Sequence, residues 1–77
     1  MSNKMVDVLL HVDEESSHDD REAFRDRLME IDGVMAADFR DDHAHLVMVE
    51  YDPALVKSAS FLSAAKDHGW HAELVGL

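Results

Sequence analysis

Histidine is the residue type in excess here, with His11, His18, His43, His45, His68 and His71 in 77 residues. Neutral imidazole beside carboxylate is a donor set that suits Zn(II), Ni(II), Co(II) or Cu(II). Carboxylates are plentiful, since seventeen Asp and Glu face seven Lys and Arg for a formal net charge of −10. His18 and Asp20 stand close together, and Asp41-Asp42-His43-Ala44-His45 forms a second cluster. With His68, which the topology below brings to the same end, the metal-ligand candidates are His18, Asp20, His68, His43 and His45. Each has an ordinary alternative. Asp19 and Asp20 suit the first turn of a helix, where negative charge meets the dipole, and His68 suits a helix C-terminus without any metal. Asp41 and Asp42 suit a turn, because their side chains bond nearby backbone.

Cysteine is absent, which removes disulfides, thiolate metal sites, iron–sulfur clusters and thiol catalysis. The acidic balance argues against nucleic acid and against an anionic membrane surface. No stretch nears 18 apolar residues, and Asp7 interrupts the N-terminal apolar run. Neither a membrane span nor a signal peptide is therefore expected, and the expected location is cytoplasmic. Nor does the chain read as an enzyme. It has no Gly-rich phosphate loop, and Ser16, Ser17, Ser58, Ser60 and Ser63 fall at helix starts or on an exposed helix. Ser17-His18-Asp20 is no triad, because adjacent residues at a helix start point in different directions.

The elements that position these residues follow from hydrophobic spacing. Val6, Val8, Leu10 and Val12 alternate along a strand from Met5 to Val12. Ser17 with Asp20 reads as an N-cap, and Phe24, Leu28 and Ile31 form one stripe of a helix from about His18 to Ile31. Gly33 fits a left-handed cap. Val34 to Phe39 and His45 to Tyr51 read as strands joined through Arg40–Ala44. In the third strand either Leu46 and Met48 or Val47, Val49 and Tyr51 can face inward; the second set leaves Glu50 outside and is adopted. Ser58 or Ser60 caps a second helix carrying Phe61, Leu62, Ala65 and His68, which Gly69 stops before a last strand from Trp70 to Val75. The order β-α-β-β-α-β, with right-handed crossovers, predicts an α+β ferredoxin-like two-layer sandwich, a four-stranded antiparallel sheet with both helices on one face. One domain is expected over 1–77, with its ordered core at about 5–75.

Gly33-Val34, Val49-Glu50-Tyr51-Asp52-Pro53-Ala54 and Leu62-x-x-Ala65-x-x-x-Gly69-Trp70-x-Ala72 resemble the heavy-metal-associated domain family, copper chaperones and the N-terminal modules of metal-transporting P-type ATPases. The resemblance implies metal trafficking, normally through a Cys-x-x-Cys loop between the first strand and the first helix. In this chain Ser17 and Asp20 stand in the two cysteine positions. Serine and carboxylate are hard oxygen donors, so Cu(I) chemistry is not expected. No family ligand carries over.

The predicted topology gathers the loop Asp13–Asp20, the hairpin Arg40–His45 and the turn Asp67–Trp70 at one pole. All six histidines border it, as do Asp13, Glu14, Glu15, Asp19, Asp20, Asp41, Asp42 and Asp67. The opposite sheet face carries Met5, Leu9, Leu46 and Met48, an apolar patch of the kind that marks interfaces. It lacks the aromatics and basic setting with which RNA-recognition modules of the same topology stack bases. Two functions are expected. One is non-enzymatic metal trafficking or sensing through a His/carboxylate site. The other is metal-free interaction through the open sheet face or the acidic pole, with a second copy in a homodimer or with a basic partner. The acidity also fits a saline habitat.

Overall fold

The fold is seen in a computed structural model that describes residues 4–40 and 42–75; Asp41, one of the expected pole acids, lies outside them. The elements are β1 (Val6–Val12), α1 (His18–Met29), β2 (Val34–Arg40), β3 (His43–Tyr51), α2 (Ala59–Asp67) and β4 (Ala72–Leu74). The strands pair antiparallel in the order β2-β3-β1-β4. This is the expected ferredoxin-like sheet. Val8 lies opposite Val49 and Leu10 opposite Val47, so the inward sets of β1 and β3 meet in the centre of the sheet. Val47, Val49 and Tyr51 are buried, and Met48 is exposed, so Glu50 does fall on the outer face.

The helices close the inner face. Phe24 and Leu28 of α1 and Phe61, Ala64 and Ala65 of α2 are buried together with the inward residues of β1, β2 and β3. Phe24, Phe61, Leu10, Leu28, Val12, Val47 and Val49 are the largest side chains buried completely, and no polar or charged side chain is buried among the described residues. Full burial of such side chains contributes about 1.5–3 kcal/mol each, most of what a chain this short has available.

Boundaries differ from the sequence reading at several places. Helix α1 ends at Met29 rather than Ile31, because Glu30 and Ile31 donate backbone hydrogen bonds three residues back, to Arg27 and Leu28, and tighten the last turn. Gly33 is therefore a turn residue beyond the cap rather than the cap itself. Its φ of +99° and its carbonyl, which accepts from Asp52 N–H at 2.8 Å, let the chain turn into β2. The β2–β3 hairpin is tighter than expected, with Arg40 already paired to His43. Ser58 precedes α2 in a helical conformation and makes no side-chain cap bond. Strand β4 is confined to Ala72–Leu74.

A Cβ on Gly33 would lie 2.9 Å from Leu55 Cβ and 3.0 Å from Val56 Cγ1, whereas one on Gly69 (φ +87°) would meet nothing. Both positions favour glycine by backbone, but only Gly33 is also sterically closed. Urea unfolding should therefore show Gly33→Ala losing more than about 1 kcal/mol and Gly69→Ala losing less. Equal losses would mean that backbone strain alone decides both.

Candidate functional site

The loop between β1 and α1 begins with three consecutive acids, Asp13, Glu14 and Glu15, and each meets a histidine from a different part of the fold. His11 of β1 places Nδ1 3.2 Å from Asp13 Oδ1. His71, ahead of β4, donates its backbone N–H to Glu14 Oε1 at 2.8 Å, and its Nδ1 lies 2.5 Å from Glu14 Oε2. Asp13 N–H donates in turn to the His71 carbonyl at 2.9 Å, so loop and β4 approach are laced together. His45 of β3 places Nε2 3.5 Å from Glu15 Oε2, while its Nδ1 sits 2.6 Å from the Val12 carbonyl. A carbonyl only accepts, so Nδ1 carries the proton there and Nε2 is the ring atom left for a ligand. The His11 and His45 rings stack with centroids 5.7 Å apart.

The five metal-ligand candidates are placed differently. Ser17 and Asp20, in the two positions aligned with cysteines, are joined to each other: Ser17 Oγ accepts from Asp20 N–H at 3.1 Å and caps α1. His18 is exposed and lines a cavity of about 230 Å³ with Arg21, Glu22, Arg25, Asp38 and Arg40, in which three guanidinium groups outnumber two carboxylates. Cationic neighbours do not assist a metal ion. His68 is half-buried, its ring 5.6 Å from Phe24 and 4.4 Å from Trp70 between centroids. His43 is exposed on β3 with Nε2 3.9 Å from Asp42. His45 alone of the five meets an acid of the loop between β1 and α1. Among the described residues, no group of three or more histidines and carboxylates is arranged to hold a metal ion.

The sequence places His11, His71, Asp13, Glu14 and Glu15 at this pole without pairing them. The signal was present in the alternation of β1, which puts His11 on the outer face at the loop end, but the pairing with His71 depends on where β4 docks.

The Glu14–His71 contact shifts both groups. The His71 ring, then its backbone N–H, holds the Glu14 carboxyl below its ordinary 4.5. The Glu14 carboxylate, by hydrogen bond and then by charge, holds His71 above its ordinary 6.5, with Asp13 adding to the effect. Glu14's share of stability is present above 4.5 and is lost as pH falls through its lowered folded value. His71's share is present below 6.5 and is lost as pH rises through its raised folded value. The contact is strongest between those limits. In an NMR titration, Glu14→Gln should bring His71 back toward 6.5; an unmoved His71 would show that Glu14 is not its partner. Ser17→Ala should cost about 1 kcal/mol in thermal or urea unfolding through loss of the cap.

Three comparisons bear on the fold. No protein-family sequence model matches the chain, and no characterised protein matches it by sequence. Solved structures do match. The CopZ metallochaperone is 28% identical at a TM-score of 0.81, over 88% of this chain and 100% of that one. The N-terminal domain of a potential copper-translocating P-type ATPase from Bacillus subtilis, in the Cu(I)-loaded state, is 20% identical at 0.85, over 95% and 90%. The copper-binding domain from HMA7, a P-type ATPase, is 23% identical at 0.82, over 91% and 93%. The chain thus resembles the heavy-metal-associated domains of copper chaperones in fold, and it stands apart from them in having no cysteine and so no Cys-x-x-Cys motif.

Proposed function

We propose that the chain acts as one small non-enzymatic domain in a metal-trafficking or metal-sensing setting, and that it engages a protein partner rather than carrying the ion at its loop. One observation carries this reading. The residues at the loop end are taken up by local contacts, Ser17 with Asp20 in a helix cap, His71 with Glu14, and His68 against Phe24 and Trp70. The setting is that of the neighbouring folds, a metallochaperone and P-type ATPase domains. No helix among the described residues is long and apolar enough to cross a membrane.

A second reading rests on His45. Its Nδ1 is anchored on a backbone carbonyl while Nε2 faces Glu15, the support that metal-ligating histidines usually have. Together with His18, Asp20, His68 and His43 this is the His/carboxylate route to Zn(II), Ni(II), Co(II) or Cu(II).

Calorimetric titration of the chelator-treated protein with each of those four ions near pH 7 separates the readings. The docking role predicts weak, non-saturating heats, unchanged in His45→Ala and in the His18→Ala, His68→Ala pair. Tight stoichiometric binding, lost in His45→Ala or in that pair and weakening as histidines protonate below about pH 6, would replace it with ion carriage.

A further inference from the structure

The sheet face away from the helices combines two features that oppose each other in an isolated protein. Leu9 of β1 lies directly opposite Met48 of β3, and Leu46 follows on the same face opposite His11, so an apolar strip crosses the two central strands. Met48 is exposed and Leu9 and Leu46 are only half-buried. One step along the ladder, Asp7 lies directly opposite Glu50. Like charges in that position destabilise a sheet, because neighbouring side chains on one face stand within a few ångströms of each other. Among the described residues no ion pair involves either carboxylate. Asp38 of β2 adds a third acid opposite Met48, though Arg25 Nε lies 3.5 Å from it.

We infer that this face docks a protein segment presenting lysine or arginine beside apolar side chains, the cation between Asp7 and Glu50 and the apolar groups on Leu9, Leu46 and Met48. This rests on the docking role proposed above and gives it a surface and a partner chemistry. Charge decides the occupant. A second copy would bring a chain of net charge −10 against another of the same charge. A cationic group between the two facing carboxylates would offset like charges placed opposite each other, and its partner would cover the apolar strip in the same event. Met5, expected in the same patch, lies just ahead of β1 and is half-buried.

The neutral pair Asp7→Asn, Glu50→Gln tests this with two readouts that move in opposite directions. Its urea midpoint should rise, since the repulsion is gone, and a rise also shows that the variant folds. Its affinity for a short synthetic peptide of alternating lysine and leucine should fall by at least about tenfold, with wild-type NMR shifts mapping to Leu9, Met48 and Glu50. Leu9→Ser should weaken the same peptide. A lysine–serine peptide of equal charge should bind several-fold less tightly. The inference is overturned if the shifts map to Asp13–Glu15, if the neutral pair binds as well as wild type, or if the serine peptide binds equally. A dimer in sedimentation that Leu9→Ser dissolves would also overturn it, with a second copy as the occupant. The metal titration stands apart: tight ion binding would refute the docking role, whereas peptide binding elsewhere would refute only this face.

Discussion

Phe24 is the side chain on which the loop end of the molecule is built. It is completely buried, and its ring lies within 5.0–6.3 Å of Trp70, His68 and Phe39 between centroids. Those contacts join α1 to β2, to the end of α2 and to the approach of β4. In a chain that buries about 60% of its unfolded surface, one such cluster fixes a large share of the architecture. It also decides chemistry. A histidine held against Phe24 and Trp70 is a packing residue, so His68 reaches the pole by sequence position and is then engaged by the core's edge.

The acids that follow β1 show why a histidine-rich, carboxylate-rich end does not converge on a point. Asp13 and Glu15 reach His11 of β1 and His45 of β3, whose rings stack, while Glu14 reaches His71 ahead of β4. The loop is held by three pairings rather than one centre. A Cys-x-x-Cys loop has the opposite arrangement, its two ligands three apart at a helix start, and in this chain Ser17 and Asp20 put that spacing to use as a cap.

Much of the fold was legible because its determinants are local and periodic. The alternation of Val6 to Val12 and the choice that left Glu50 outside gave the register of the two central strands. The Ser17–Asp20 cap fixed the start of α1. Its end was misjudged because Ile31 continues the apolar stripe after the backbone has tightened, and side-chain spacing carries no record of that change. The short β4 escaped for a related reason: Trp70 is apolar, yet it packs on Phe24 ahead of the ladder. In the candidate site the reading gathered histidines and carboxylates at this end. It could not tell which histidine meets which acid, since His71–Glu14 spans the chain and depends on how β4 docks.

The outer face raises a question of physical accounting that the loop does not. Surface acids scattered over a soluble domain need no explanation, and net charge keeps such a protein dispersed. Asp7 directly opposite Glu50 is different, because that placement costs stability and solubility requires only the charges, not their registry. A saline solvent would soften the cost, since screening shortens to about 3 Å at 1 M salt. Salt would do nothing to cover Leu9, Leu46 and Met48, and excluded ions would make their exposure less favourable. Solubility and salinity thus each account for one half of the face and leave the other in conflict, and that is the ground on which we infer a cationic, apolar partner.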